Sequence, residues 1–294
     1  MRKIVRFRKN HLAVKYKYYA SLIFIAFIWG STFPIIKETL SFVDPLSFLF
    51  FRFLVASVII LPFIIRRINR NIAIYGSIVG VTLFFGYLTQ TFGLEYTTPS
   101  MSGLITGLYV VLTPVLSVFF LKRKMVKIEI LLASVAFLGV ALMSLSTSSG
   151  ELIGNILTLF CAISYALQII LTEKYLKDGD ALQFTFFQLL MVALLSLAFH
   201  PQAILNFTKI EIPYVLFSVL FNAILGSALA IFIMSVAIKN TNSYISALIL
   251  ISEPLFAVLV STIVFKYPIN VQTIIGGSLI IISMIFAIRI ENKK

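Results

Sequence analysis

Among 294 residues with only 11 Asp and Glu and two His, few side chains are equipped for chemistry, and two of them stand inside apolar runs. Glu253 sits near the centre of a run reaching from about residue 242 to about 265. On a helix rising about 1.5 Å per residue, its carboxylate lies on the order of 16 Å from either end, too far to reach water. A charge at that depth costs about 2.5–3.5 kcal/mol on insertion scales and persists where a cavity or partner compensates it. Two roles fit: a proton-coupling group or acceptor for a substrate amine, and a structural carboxylate, protonated or paired with an arginine. Arg52 lies six residues inside a second run, 46–66. Its stem is long enough to lift the guanidinium to the membrane interface. Held inside, the planar fork suits a clamp for a substrate carboxylate or a gate partner for Glu253.

Around these two charges the sequence offers aromatic walls and a few polar contacts. Trp29, Tyr109 and Tyr165 can sandwich a solute while Thr32, Thr106 and Gln168 orient it, the usual make-up of a small-molecule pocket. The same residue types also serve as ordinary helix-bundle core. Pro34, Pro114 and Pro254 each remove a helical hydrogen bond, and the carbonyls freed nearby need neighbours or a water-filled site. Pro114 and Pro254 are the informative pair, because interrupted helices in matching places of two halves point to a substrate site. These residues place a cavity around the first, fourth, sixth and ninth apolar runs. Lys37, near the end of the first run, reads as a snorkelling cation or a gate. Gly76-x-x-x-Gly80 and Gly103-x-x-x-Gly107 read as close-packing motifs between helices.

The elements that position these groups follow from composition. Hydrophobic residues make up 60% of the chain and charged residues 12%, where soluble domains carry about a quarter charged; the mean hydropathy is +1.04. The solvent of such a chain is lipid. Cys161 is the only cysteine, so no disulfide scaffold is built, and His11 and His200, both outside the apolar runs, make no metal site. No G-x-x-x-x-G-K-[ST] loop is present and no carboxylate or histidine cluster suggests an enzyme, so neither catalysis nor a cofactor is expected. The net charge of +13 is scattered through short gaps rather than gathered on one face with stacking aromatics, which argues against a nucleic-acid partner.

Ten runs have the length of about 20 residues that a membrane helix needs: 18–40, 46–66, 72–92, 99–121, 127–146, 151–173, 181–199, 212–236, 242–265 and 271–289. The first is too long for a signal peptide and lacks a small-residue cleavage site. Lys and Arg divide unequally between alternate gaps. One side holds 20 of them, including seven before Ala20 and the Lys122-Arg123-Lys124 cluster; the other holds Lys37, Lys209 and Lys266. That asymmetry places both termini in the cytoplasm, with a basic tail, 1–17, attracted to anionic membrane lipids, and a short tail, 290–294.

An internal repeat underlies the ten runs. Shifted by 136 residues, Trp29 meets Tyr165, Asp44 meets Asp180, Phe48 meets Phe184, Phe50 and Phe51 meet Phe186 and Phe187, and Arg52 meets Gln188. With gaps, Pro114 meets Pro254, and Thr97 with Ser102 meets Thr241 with Ser246. Each half, 18–146 and 151–289, then holds five spans. Five is odd, so the second half is upside down relative to the first. The expected fold is an all-α integral membrane protein of ten transmembrane helices in two inverted five-helix repeats, the arrangement that supports alternating access.

The stretch Trp29 to Lys37 (WGSTFPIIK), Arg52-Phe53-Leu54-Val55-Ala56, Leu108 to Pro114 (LYVVLTP) and Glu253-Pro254 resembles the EamA family of the drug/metabolite transporter superfamily, over essentially the whole chain. The resemblance implies a ten-helix secondary transporter, usually associated with export of amino acids or other small metabolites. Many members carry a Glu in the gaps that here read Lys122-Arg123-Lys124 and Lys266-Tyr267-Pro268. The expectation is a multi-pass plasma-membrane exporter of small amphipathic metabolites, with protons as candidate coupling ion. The competing reading is a translocase for lipids or lipid-linked carriers, which a weakly polar aromatic cavity would also suit.

Overall fold

The computed structural model describes residues 2–124, 126–144, 152–256, 259–260 and 271–292, with the side chains of 2–14, 99, 100 and 144 excepted. The side chains of the basic tail before Lys15, the gap containing Lys266, the C-terminal Lys293 and Lys294, and the far end of the ninth expected span lie outside the described residues. So does the link between the two expected halves.

All regular structure among the described residues is helical. In chain order it runs α1 (Arg2–Thr39), α2 (Pro45–Ile64), α3 (Arg70–Tyr96), α4 (Pro99–Thr106), α5 (Tyr109–Phe120), α6 (Lys127–Ser144), α7 (Leu152–Leu176) and α8 (Ala181–Phe199). A 3-10 turn (Pro201–Asn206) and α9 (Phe207–Ile210) follow, then α10 (Pro213–Phe221), a π-helical segment (Asn222–Leu229), α11 (Ala230–Asn240) and α12 (Ser243–Leu250). A helix α13, described at 253–256 and 259–260, and α14 (Val271–Glu291) complete the chain. Among the described residues, eight stretches are long and apolar enough to cross a membrane; α4 and α5 together make one of them, and α10 through α11 another. The apolar α6, at 18 residues, and the shorter segment from Ser243 to Phe256 occupy the places of the fifth and ninth expected spans.

The chain differs from its sequence reading at several element boundaries. Helix α1 starts at Arg2, so the basic stretch expected as a separate tail continues the first helix. Pro34 lies inside α1 without interrupting it. The gap after His200 is filled by the 3-10 turn and α9. The Asp44 and Asp180 match has a local cause: each is the N-cap of the helix after it. Asp44 accepts from Ser47 N at 2.9 Å, and Asp180 accepts from Leu182 N at 2.9 Å and Gln183 N at 3.2 Å.

Packing follows the logic of lipid as solvent. Apolar side chains such as Leu152 (75% exposed) and Phe119 (72%) face outward, while Arg52, Thr158, Gln168, Thr185, Gln188 and Asn222 are buried. Helices cannot associate in hydrocarbon by hiding Leu from Leu, so close backbone approach and internal polar bonds take over. Helix α3 packs on α7 and α8, α2 on α8, and α6 on α14. At the α3–α8 crossing, a Cβ on Gly76 would come 2.8 Å from Phe184 O, and one on Gly80 would come 2.6 Å from Met191 Cβ. Gly103 behaves differently from the expected packing motif, since no described atom lies within 4 Å of where its Cβ would stand.

The tightest crossing joins α6 to α14, where Gly139 and Gly276 face each other and a Cβ on Gly139 would stand 2.5 Å from Gly276 O. The neighbour there is rigid backbone. Gly276→Ala is therefore expected to cost roughly 1–3 kcal/mol by overpacking, read as a lower thermal unfolding temperature in detergent, whereas Gly103→Ala should leave it unchanged. An unaltered Gly276→Ala protein would show that this crossing contributes little.

Candidate functional site

Seven segments converge on a cavity of about 550 Å³. Its wall includes Trp29 and Thr32 of α1, Arg52 of α2, Tyr87 and Gln90 of α3, Thr106 at the end of α4, Tyr109 at the start of α5, Tyr165 and Gln168 of α7, and Glu253 of α13, closed by Phe33, Ile231 and Met234. The eight side chains expected to contact a solute, Trp29, Thr32, Arg52, Thr106, Tyr109, Tyr165, Gln168 and Glu253, thus share one cavity. The structure adds α2, α3 and α11 to the four spans expected around it.

Arg52 is 1% exposed and its guanidinium is bonded inside the bundle, which corrects the snorkelling alternative. Its fixation depends on the π-helical segment. A π turn widens a helix and re-aims its carbonyls; here Gly226 O accepts from Trp29 Nε1 at 2.9 Å and from Arg52 Nη2 at 3.4 Å. Arg52 Nε donates to Ser227 Oγ at 2.8 Å. The guanidinium carbon lies 4.6 Å from the Tyr87 ring centroid and 5.1 Å from that of Phe53, a geometry that contributes about 0.5–2 kcal/mol per contact. Nη1 has no partner. Among the described residues no ion pair joins Arg52 to Glu253.

A second polar chain crosses the cavity from α7 to α4. The missing side chain of Gly86 makes room for the Tyr165 ring, which a Cβ at that position would strike. One turn along α3, Gln90 Oε1 accepts from Tyr165 OH at 3.0 Å, and Gln90 Nε2 donates to Thr106 Oγ1 at 3.4 Å. Gln168 Nε2 donates to Gln188 Oε1 at 2.9 Å. Gln188, which the sequence shift of 136 residues aligns with Arg52, is thus a neutral amide committed to a neighbour.

Two broken helices bring Tyr109 and Glu253 to the cavity. Helix α4 is eight residues long, capped by Thr98, and ends at a turn over Gly107 and Leu108 before α5 resumes at Tyr109. Helix α12 is also eight residues long, capped by Asn242, and ends at a turn over Ile251 and Ser252 before 253–256 resume. The two interruptions stand 144 residues apart at every landmark, and each presents its first following side chain, Tyr109 or Glu253, to the cavity. Pro254 falls directly after its break, where a missing N–H is tolerated. Pro114 does not; it sits inside α5, six residues past the turn. The breaks therefore lie at Gly107–Leu108 and Ile251–Ser252 rather than at a matched pair of prolines.

Lys37 stands away from this cavity. Its ammonium bonds the carbonyls of Leu94, Glu95 (3.2 Å) and Thr97 (3.4 Å), where cations are favoured at the C-terminal end of α3. Sequence reading overlooked Tyr87, Gln90, Gly226 and Ser227. Gln90 and the Gly226-Ser227 pair were visible as polar or small interruptions of apolar runs, but nothing in their spacing announced a π turn.

The EamA-like transporter family profile matches the chain twice, over residues 17–145 and 152–289. The chain belongs to the EamA-like transporter family. It is 33% identical over 265 residues to an uncharacterized transporter of Archaeoglobus fulgidus, covering 90% of this chain and 83% of the relative. It is 28% identical to the uncharacterized transporter YyaM of Bacillus subtilis, with 92% of each covered. An S-adenosylmethionine uptake transporter of Rickettsia conorii is 25% identical over 251 residues, 83% of each chain. A solved crystal structure superposes with a TM-score of 0.74 at 14% identity, covering 92% of this chain and 96% of the other, which supports the fold alone. This EamA-like chain is accordingly a multi-pass membrane transporter.

Proposed function

We propose that this EamA-like protein is a secondary transporter that exports small amphipathic metabolites, amino acids or related solutes, across the plasma membrane by alternating access around the cavity. The observation that carries the reading is the cavity itself: one guanidinium with a free Nη1 and one carboxylate, not paired with each other, set among Trp29, Tyr87, Tyr109 and Tyr165. An enclosed site with both charge signs, aromatic faces and few other polar groups suits a small solute bearing ionic and apolar parts.

The proposed scaffold is ten spans in two inverted halves, 18–146 and 151–289, with both termini cytoplasmic. The twofold family match and the helix breaks 144 residues apart support it. Broken helices at matching places supply hinges and free backbone groups at the midplane, and rocking one half against the other exposes the site to each side in turn. In this scheme the protein moves its solute without chemical change, and protons are the proposed coupling ion.

Reconstitution in liposomes tests this directly. A panel of labelled amino acids, with S-adenosylmethionine added because the Rickettsia relative bears that name, is followed with and without a pH gradient. Saturable movement of at least one solute is expected. No movement of any solute, together with accelerated exchange of fluorescent lipid between leaflets, would replace this reading by the lipid translocase.

A further inference from the structure

Away from the cavity, cations, aromatic rings and an apolar strip meet on the surface where α3 begins and α7 ends. The two helices run antiparallel: Gly93 meets Gly154 and Thr158 at one end, and Gly86 meets Tyr165 midway. At the other end Ile72 meets the turn after α7, where a Cβ on Gly179 would stand 3.5 Å from Ile72 Cδ1. Asn69 N donates to Gln183 Oε1 at 2.9 Å, which sets the turn before α3 beside the start of α8. Two turns distant in sequence thus share one corner of the bundle, 65–69 with exposed Arg66 and Arg67, and 177–180 with exposed Lys177. Arg70 opens α3, and Lys174 stands in the last turn of α7. Just inside the corner the Tyr75 and Tyr175 rings stack, 4.7 Å between centroids and 6° between planes, and the Lys174 ammonium lies 5.3 Å from the Tyr175 centroid. We propose that an anionic phospholipid binds here, its phosphate between Arg70 and Lys174, its glycerol backbone against the stacked tyrosines and one acyl chain along Ile74 and Ile78.

Charge selects the headgroup. Among the described residues no carboxylate comes within ion-pair distance of Arg66, Arg67, Arg70, Lys174 or Lys177. Asp180 is engaged in capping α8, where it accepts from Leu182 N, Gln183 N and Gln183 Nε2. Glu173 faces Arg123 at 3.7 Å and accepts from Ser243 N at 2.6 Å. Exposed Asp178 then stands among cations that outnumber it. A phosphodiester supplies the missing anion, with the planar Arg70 fork taking two of its oxygens and Lys174 acting as a point charge.

The apolar strip selects a lipid over a soluble anion. Arg70, Ile74 and Ile78 recur every four residues and so share one face of α3. Ile74 and Ile78 lie about 6 and about 12 Å along the axis from Arg70, and they are 46% and 43% exposed. An acyl chain covers both; inorganic phosphate leaves them bare. Tyr75, itself 39% exposed, suits the level between them and the phosphate, because a tyrosine ring is apolar and its hydroxyl polar. Basic pockets between membrane helices hold anionic headgroups in this way. The bound lipid ties the start of α3 to the end of α7, and the site stands apart from the transport reading.

The test uses the full chain, delipidated in detergent, and needs no transported solute. Phosphatidylglycerol or phosphatidylcholine is titrated in, and the lipid retained per chain is counted by native mass spectrometry. One phosphatidylglycerol should bind saturably, and at least about tenfold more tightly than phosphatidylcholine. In a chain carrying both Arg70→Gln and Lys174→Gln that preference should fall about tenfold to thirtyfold, the effect of two basic residues at an anionic lipid surface, and each single substitution should show part of the loss. Lys124→Gln combined with Arg289→Gln removes two exposed cations from other parts of the chain and should leave affinity unchanged. The unfolding temperature of each variant without lipid should match the wild type, since all four side chains lie at the surface. Equal binding of the two lipids would remove the selection by charge. An equal loss in both double variants would reduce the site to diffuse attraction, and displacement of bound phosphatidylglycerol by inorganic phosphate would assign it to a soluble anion. Any of these results would overturn the proposal.

Discussion

Arg52→Met is expected to reduce solute transport at least about a hundredfold while leaving the thermal unfolding temperature unchanged or raised. The two halves of that expectation have separate causes. Arg52 is almost fully buried with no carboxylate among the described residues in ion-pair range, and a buried cation lacking a counter-ion carries a desolvation penalty of several kcal/mol. Its bonds to Ser227 and Gly226, at about 1.5–3 kcal/mol each, and its contacts with Tyr87 and Phe53 offset much of that penalty. Met fills similar volume without the charge. Gly226 O then keeps its bond from Trp29, and the Ser227 hydroxyl can turn to a carbonyl one turn back, a common alternative for serine in helices. Little stability is lost. What disappears is the positive charge in the cavity wall. Transport assays and unfolding curves on the same preparations check both parts, and a variant that transports normally would reduce Arg52 to a structural tie between α2 and the π segment.

The second large effect concerns Glu253. Glu253→Gln retains shape and hydrogen-bonding capacity but removes the titratable proton and the negative charge. Transport of solutes bearing an amine should fall about tenfold to a hundredfold, as expected when a charged partner is lost from an enclosed site. Acceleration by a pH gradient should vanish with it, because no other carboxylate among the described residues lines the cavity. Glu253→Asp should retain part of the gradient response at reduced rate. A gradient response unchanged in Glu253→Gln would move the coupling proton elsewhere and return Glu253 to a structural role beside the helix break.

Arg52 and Glu253 also show where a one-dimensional reading stops. The depth of each charge along its apolar run is a matter of counting, and counting was enough to single both out. Whether a guanidinium six residues inside a span reaches outward or inward depends on which way its helix face turns. Here the answer comes from α10 to α11, some 175 residues later, whose π turn offers Gly226 O and Ser227 Oγ to it. The prolines teach a related lesson. Pro removes a backbone donor wherever it occurs, yet Pro34 and Pro114 are accommodated inside continuous helices, while the actual interruptions fall at Gly107–Leu108 and Ile251–Ser252. Local chemistry names the residues that can break a helix, and packing decides which of them do.

By itself the sequence determined that this is a helical membrane protein, because about 20 apolar residues per run admit few other structures in lipid and backbone groups there must be satisfied within the helix; the transporter class came from its resemblance to the EamA family. It also determined the shared helix starts at Asp44 and Asp180, because an N-cap acts over two or three residues. Tertiary structure alone decided that seven segments enclose one cavity, that Arg52 is held by a π turn, that Gln90 joins Tyr165 to Thr106, and that Tyr109 and Glu253 emerge from equivalent breaks. Those features join residues more than 200 positions apart, such as Trp29 and Glu253, and the physical terms that create them, shape complementarity and mutual hydrogen bonding, exist only once the helices have met.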